Sequence, residues 1–392
     1  MMKILMVNYE YPPLGGGGGI AMMEIAEELA HRHQVHVLTS GIKSLPAVEK
    51  HSELDLTIHR VRVPGRTDRA TASFASMAAF LPAGVRRGNQ LLANHEFDVI
   101  NTWFAIPSGI TGAAIARKNR VPHVLTVIGG DIYDPSKWYS PHQFFPAGLA
   151  VKRVLRQADS HVAISTDIAN RTRQYFGFER PIEVIPLGIR EPQFRPASRH
   201  ELGMDDSKKY ITAVGRLVRR KDYPTLLEAF RDLKRDDTHL LLLGDGPERD
   251  NLAALAAKLG IADRVHLKGF VPDELKYQIL ANSDLFALIS LHEGFGVVYL
   301  EAMYCGLPVI AADEGGQVDM LKDGETGRLV QVGNRDAISH SLRELLEDQQ
   351  FADRAGNYCR QRFEDFSISN LARKYEKIFS ATERRSDSID RR

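Results

Sequence analysis

Short apolar runs alternate with amphipathic stretches along the whole chain. In the first half, runs of strand length stand at Lys3–Val7, Val35–Thr39, Asp98–Asn101, His123–Val127, His161–Ile164 and Glu183–Ile185. Between them, Ile20–Arg32 and Gly109–Lys118 carry apolar residues at helical spacing. The pattern then restarts. Tyr210–Val214, His239–Leu243, Val265–Lys268, Leu285–Ile289, Pro308–Ala311 and Gly327–Leu329 read as strands. Pro224–Arg235, Pro247–Leu259, Asp273–Asn282 and Ala337–Asp348 read as helices, the last with Asp336 as its N-cap. Near-continuous apolar strands interleaved with helices predict parallel sheets covered on both faces. The fold class is therefore α/β, with two doubly wound, Rossmann-like domains. Such halves face a central cleft between the carboxyl ends of their strands, where ligands bind in open α/β sheets.

The seam is placed at Pro192–Lys208, where Pro192, Pro196, Ser198 and Ser207 stand among charged residues. That divides the chain into an N-terminal domain over residues 1–190 and a C-terminal domain over 209–363, followed by a final helix within 364–380.

Composition narrows the function classes. The chain has 392 residues, with 51 basic and 50 acidic side chains. A balanced charge gives no reason to expect nucleic acid as a partner. Cys305 and Cys359 are the two cysteines, with neither metal-ligand spacing nor a disulfide framework. No metal site is expected, and a reducing, cytoplasmic setting is. The apolar run after Met1 stops at Asn8, and no later run approaches the roughly 20 residues a membrane span needs. Trp138, Tyr139, Phe144 and Phe145 stand near Lys152, Arg153 and Arg156, and Arg66, Arg69, Arg86 and Arg87 bracket the apolar Phe74–Leu81. Such faces suit peripheral contact with anionic lipid at the inner face of the cell membrane. They equally suit helices packed on their own sheet with a solvated basic side, and both readings stand.

The first strand runs into Pro12-Pro13-Leu14-Gly15-Gly16-Gly17-Gly18-Gly19. Glycines let a ligand approach the backbone, and the free amides of a following helix suit phosphate or sugar oxygens. Gly16 and Gly17 are the candidate contacts. The fingerprint Gly16-x-Gly18-x-x-Ala21 is weak evidence for a dinucleotide. The acidic residue expected after the second strand is missing, since that strand ends Leu38-Thr39-Ser40-Gly41.

The second half carries four loop segments at strand ends. Gly215-Arg216 leads to Lys221, and two cations after a strand can neutralise a diphosphate, Arg216 as a fork and Lys221 as a point charge. Gly244-Asp245-Gly246-Pro247 is a tight turn with Pro247 at a predicted first helical position. In Glu293-Gly294-Phe295-Gly296-Val297-Val298, a helix predicted to start near Gly296 offers orphan amides to phosphate. Glu293 in that loop and Glu301 within the helix are fit to accept hydroxyl hydrogens from a sugar and a ribose. Asp313-Glu314-Gly315-Gly316 and Asp323–Gly327 are turn-rich loops.

Taken together, these segments resemble the retaining glycosyltransferases of family four, of GT-B fold (glycosyl transferases group 1). The resemblance runs from Gly215 to about Val330 through Gly-Arg-Leu with its downstream Lys221, "GDGP", Gly269-Phe270-Val271, "EGFGVVYLEAM", "GLPVIAADEGG" and "DGETG". In the first half, "YPPLGGGGG" and "VIPLGI" resemble the family more loosely. The resemblance implies a hexosyltransferase, with no cofactor and a nucleotide-sugar donor, a UDP- or GDP-sugar, as substrate. It implies diphosphate binding by Arg216 and Lys221, ribose binding by Glu301, and contact of Glu293 with the transferred sugar. Backbone contacts would come from Gly215, Val271, Phe295, Gly296, Val297 and Val298. The glycine loop would close over phosphates or acceptor, and Ser367–Phe379 would be a helix crossing back to the first domain. The acceptor would be a glycan, a lipid-linked sugar or a small molecule, in polysaccharide or cell-envelope synthesis.

Two positions depart from the family pattern. Where relatives carry Thr-x-His-Gly-x-Asp, this chain has Thr126-Val127-Ile128-Gly129-Gly130-Asp131, so the histidine's sugar contact is unfilled or falls to Asp131. The stretch Pro186–Arg190 also lacks the Asn and Asp of relatives. The alternatives are a sugar-phosphate synthase, a nucleotide-sugar epimerase, a non-catalytic sugar-binding protein and an NAD-dependent oxidoreductase.

Overall fold

The computed structural model describes residues 1–66 and 73–390, the last six of these by their backbone. Arg69, one of the basic residues bracketing Phe74–Leu81, lies outside the described residues. The chain divides into two compact units, Met1–Gly188 with Ile368–Arg392, and Ile189–Ser367.

Unit 1 contains the strands β1 (Lys3–Val7), β2 (Gln34–Gly41), β3 (Val48–Lys50), β4 (Leu56–Arg62), β5 (Val99–Trp103), β6 (His123–Val127), β7 (Ser160–Ala163) and β8 (Glu183–Val184). Its helices are α1 (Gly17–Ala30), α2 (Phe74–Asn94), α3 (Ile110–Asn119), α4 (Phe145–Gln157) and α5 (Thr166–Phe176). The sheet order is β3-β4-β2-β1-β5-β6-β7-β8. Every pairing is parallel except that of β3 with β4. The winding reverses between β1 and β5, the switch point where such a sheet opens a crevice. Ile4–Val7 are fully buried, as a strand covered on both faces must be. Leu5, Val7, Leu38, Phe80, Ile100 and Ile115 meet in one core cluster.

Unit 2 contains β9 (Lys209–Val214), β10 (Thr238–Leu243), β11 (Val265–Gly269), β12 (Leu285–Leu288), β13 (Val309–Ala312) and β14 (Gly327–Val330). Its helices are α6 (Tyr223–Asp232), α7 (Arg249–Lys258), α8 (Asp273–Ala281), α9 (Val297–Tyr304), α10 (Arg335–Glu347) and α11 (Gln349–Phe363). The order β11-β10-β9-β12-β13-β14 is wholly parallel, with its switch point between β9 and β12. The final helix, α12 (Ile368–Asp390), belongs to unit 1, where it packs on α1, β5 and β6. Its Leu371, Ala372, Tyr375 and Phe379 are buried, with Tyr375 stacked 5.8 Å from Trp103. Each large apolar side chain buried this way contributes about 1.5–3 kcal/mol.

Several local expectations change. The stretch 192–208 folds with unit 2 rather than standing as a free linker: Arg199 donates to the Asn282 and Lys208 carbonyls and pairs with Asp284 at 2.9 Å. The N-cap of α10 is Asn334, whose side chain accepts from Ala337 N at 3.0 Å, while Asp336 lies exposed in the first turn. Pro247 precedes α7 instead of opening it. The strand β4 has no clean apolar signature because His59 and Arg60 are among its buried residues.

Candidate active site

In unit 2 the loops after β9, β10, β12 and β13 stand together at the carboxyl ends of the parallel strands, and backbone bonds interlock them, whereas Asp323–Gly327 leads into β14 and stands at the amino ends. Leu217 N donates to Asp245 O at 3.0 Å and Glu248 N to Leu217 O at 3.1 Å, tying the loop after β9 to the turn after β10. Gly244 N reaches Gly269 O at 2.8 Å, so the turn adjoins the end of β11 that leads to Val271. Leu291 N donates to Arg220 O at 2.8 Å across the switch point. Gly316 N donates to Glu293 O at 2.8 Å. A Cβ on Gly316 would lie 2.0 Å from the Gly294 carbonyl, so this approach demands glycine.

The charges do not sit as the sequence suggests. Glu293 is not free in its loop: it pairs with the buried Lys221 ammonium, and Arg220 stands 3.5 Å from its other oxygen. Burial pushes the Glu293 carboxyl up, but Lys221 and Arg220 outweigh it and hold it below its ordinary range. Arg219 faces Glu248 at 3.6 Å. Arg216 is exposed and, among the described residues, has no acidic partner. Of the loop's cations it is the one left to meet an anion from outside. Tyr223 fixes the start of the loop by donating from its hydroxyl to Gly215 O at 3.1 Å.

Gly296 caps α9 with φ of 89°, in the left-handed region. A Cβ there would lie 2.5 Å from the Tyr299 ring. Phe295 is buried ahead of the cap, and the half-buried Val297 and Val298 open α9, so their amides lack intrahelical acceptors. Glu301, one turn on, is buried and takes a 2.8 Å bond from Lys276 Nζ, which also holds Asp273 at 2.9 Å. Burial raises the Glu301 carboxyl and Lys276 offsets part of it. Lys276 and Tyr277 were not singled out by sequence. The one signal was the Asp273-x-x-Lys276 spacing along α8.

In unit 1 the glycine loop follows β1 at its switch point. Gly16 is the N-cap of α1 and its amide donates to Glu10 at 3.1 Å. Nothing stands within 4 Å of a Cβ built on Gly16 or Gly17, so this side is open. Gly18 instead backs on Phe104 and Ile128. Asp131 departs from the expected sugar contact. It is buried, with Oδ2 accepting from Ala105 N at 2.7 Å and Oδ1 from Ile128 N and Gly129 N at 3.0 and 2.8 Å. Burial raises its carboxyl against these three amides. Both oxygens are spent on holding the backbone after β5 and β6.

On the surface of unit 1, Trp138 and Phe145 are 73% and 78% exposed and Phe74 is 62% exposed. Edge contacts of 4.9–5.7 Å join Phe74, Tyr139, Trp138 and Phe144. Among the described residues no helix is long and apolar enough to cross a membrane.

Comparison with known proteins agrees with this geometry. A family model described as Glycosyltransferase Family 4 matches residues 15–191, and one described as Glycosyl transferases group 1 matches residues 194–362. The N-acetyl-alpha-D-glucosaminyl L-malate synthase of Bacillus anthracis is 28% identical, with 94% of each chain covered. The GDP-mannose-dependent alpha-(1-6)-phosphatidylinositol monomannoside mannosyltransferase of Mycolicibacterium smegmatis is 27% identical, covering 90% of this chain and 91% of the relative. The sucrose-phosphate synthase of Thermosynechococcus elongatus matches in structure with a TM-score of 0.83 at 24% identity, over 97% of this chain and 100% of that one. HepE of Anabaena, solved in complex with UDP-glucose, matches with a TM-score of 0.74 at 22% identity, over 97% of this chain and 100% of that one. Two Rossmann-like units of this kind define a GT-B glycosyltransferase. The chain belongs to glycosyltransferase family four, whose group 1 segment contains the interlocked edge of unit 2.

Proposed function

We propose that the protein moves a hexosyl group from a UDP- or GDP-sugar to a glycan, lipid-linked or small-molecule acceptor with retention of anomeric configuration. Unit 2 takes the donor and unit 1 the acceptor. The observation that carries this reading is Arg216, exposed and, among the described residues, without an acidic partner, on an edge where Arg219, Arg220 and Lys221 each face a carboxylate. Two relatives bear names that specify N-acetylglucosaminyl and GDP-mannose chemistry, which supports a nucleotide-sugar donor.

Arg216 grips the diphosphate as a fork. Lys221 Nζ keeps hydrogens beyond the one given to Glu293 and adds a point charge. The amides of Gly296, Val297 and Val298 and the backbone of Gly215, Phe295 and Val271 line the donor. Glu301 accepts from the ribose hydroxyls, and Glu293, on its exposed side, from the transferred sugar. As the bond from sugar C1 to the diphosphate oxygen breaks, charge grows on the leaving group, and these fixed donors stabilise it. The acceptor oxygen bonds C1 from the same face, and its proton passes to the departing phosphate oxygen. Asp131 acts as a positioning residue, and the open faces of Gly16 and Gly17 receive the acceptor or close over the phosphates. The exposed aromatics with Lys152, Arg153 and Arg156 give unit 1 a peripheral contact with anionic lipid.

The test is transfer itself. Labelled UDP- and GDP-sugars are offered with glycan, lipid and sugar-phosphate acceptors, and the product anomer is read by NMR. An α-linked product from an α-linked donor is expected. An inverted product contradicts the mechanism, and turnover of every donor by water alone contradicts transfer.

A further inference from the structure

This inference rests on unit 1 as the acceptor side and concerns the chemistry of the acceptor. Arg66 stands shortly beyond β4, past the carboxyl end of that strand, and is 4% exposed. Its guanidinium lies over the Tyr9 ring, 4.3 Å from the centroid. Nη1 makes one long bond of 3.5 Å to the Tyr9 carbonyl. Nε and Nη2 are buried without any hydrogen-bond partner, and among the described residues no carboxylate pairs with it. A guanidinium has five donors and no acceptor, so Arg66 is a buried cation that, among the described residues, faces the Tyr9 ring and one carbonyl. Buried charges are ordinarily paired, because an uncompensated one is strongly destabilising. Arg60, just as buried, meets that rule through Glu49 at 3.1 Å and the Pro12 carbonyl at 3.0 Å.

The seat of Arg66 is rigid. Tyr9 N donates a 2.9 Å bond to Ser108 Oγ, and the Tyr9 carbonyl accepts a 2.6 Å bond from Ser40 Oγ. The Tyr9 hydroxyl meets Ser76 Oγ at 2.7 Å, inside the first turn of α2. Gly65, the residue before Arg66, accepts at 3.2 Å from Ser73 Oγ, the N-cap of that helix. The amino end of a 21-residue helix with no acidic residue in its first turn thus abuts the unpaired guanidinium. The capping box takes up the Ser73 and Ser76 amides and leaves those of Phe74 and Ala75, so the helix end adds its positive potential, and Arg66 its free N–H donors, beside Tyr9. Tyr9 also leads directly into the glycine loop.

We propose that Arg66 and the amino end of α2 form a receptor for an anionic oxygen group, phosphate or carboxylate, carried by the acceptor.

The full-length protein without donor tests this. Its unfolding temperature is measured in inorganic phosphate and, separately, in succinate, against chloride at equal ionic strength. Saturating anion is expected to raise it by roughly 3 °C. Because phosphate also suits Arg216, Arg66→Met and Arg216→Met are compared. Arg66→Met should lose the rise that Arg216→Met keeps. In chloride, Arg66→Met should unfold at the wild-type temperature or above, since it removes an unpaired buried charge. If Arg66→Met does not fold, Arg66→Lys, which keeps the charge without the fork, should show a smaller rise than wild type. A rise with phosphate alone identifies a phosphorylated acceptor, and a rise with both anions admits a carboxylate. No rise in wild type, or an equal rise in the Arg66 variants, overturns the proposal. The readout needs neither donor nor transfer, so its failure leaves the donor reading standing, and failure of transfer leaves this result standing.

Discussion

The two sheets reach their carboxyl edges with opposite loop chemistry. In unit 2 the loops are charged, short and tied to one another, with Lys221, Glu293 and Arg220 forming a closed set. In unit 1 the loop after β1 at the corresponding edge is a run of glycines, and Gly16 and Gly17 face open space. Under the proposed function the same topology serves two tasks. A diphosphate is the same in every donor and rewards fixed, preorganised charge. An acceptor varies, and a glycine loop beside Phe104 and Ile128 is shaped by backbone approach.

The largest expected effects separate two cations of one loop. Arg216→Ala should lower kcat/KM by about 10²–10³ while shifting stability by less than about 0.5 kcal/mol, because the side chain is exposed and unpaired. Lys221→Ala should lose comparable activity and also about 3–5 kcal/mol of stability, since it leaves the Glu293 carboxylate buried without its closest partner. Steady-state kinetics beside denaturant titration distinguish the two. Equal stability losses would mean that Arg216 is structural.

Next in size, Glu301→Gln should raise the donor KM about tenfold with kcat little changed, as expected for a charge-assisted hydrogen bond made equally in ground and transition states. Lys276→Met should do the same through Glu301. A loss confined to kcat would remove Glu301 from ribose binding.

Acid should discriminate between the units. Burial lowers His36 and His161 to about 4 and His59 and His123 to about 3, all in unit 1, from an ordinary 6.5. The unfolded chain therefore binds more protons below pH 6.5. The contribution of these groups is complete above that pH and is lost as pH falls toward 4 and 3. Glu293 in unit 2, held low, keeps its contribution until pH drops below its ordinary 4.5. Both tryptophans, Trp103 and Trp138, lie in unit 1. Tryptophan-detected thermal unfolding should fall between pH 6.5 and 4.5 ahead of changes at the 293 loop followed by hydrogen exchange. A tryptophan transition unmoved over that range would show that the buried histidines do not titrate as described.

The smallest contrast lies within the glycine loop. A Cβ on Gly18 would meet Phe104 Cζ at 2.6 Å, so Gly18→Ala should cost about 1–3 kcal/mol. Gly16→Ala should stay within about 0.5 kcal/mol. Equal costs in thermal melts would show that the loop is not seated on Phe104.

What was legible in the sequence follows the same divide. Strands buried on both faces, such as Ile4–Val7 and Leu240–Leu243, declare themselves as unbroken apolar runs. β4 does not, because His59 and Arg60 are buried within it. α2 is masked by Pro82, Gly84 and Gly88; a Cβ on Gly88 would lie 2.2 Å from Ile115, so the glycine serves the close packing of α2 on α3. In the candidate site, Arg216, Lys221 and Glu293 could be picked out because strand-end loops concentrate them, and Glu301 because it follows in the helix that the last of these loops opens. Their pairing could not, since Lys221–Glu293 and Lys276–Glu301 join distant segments through the fold. The surroundings of Asp131 could not be read for a related reason: sequence shows a carboxylate after a strand, not the three backbone amides that donate to it.

The central claim is that one diphosphate is held by the unit 2 edge. Hydrogen exchange of the full-length protein with and without UDP or GDP tests it most directly. Slowed exchange in residues 215–221 and 293–298, lost in Arg216→Ala, is the predicted result. Slowed exchange confined to the unit 1 loop at residues 15–19, or protection of 215–221 that survives Arg216→Ala, would contradict it.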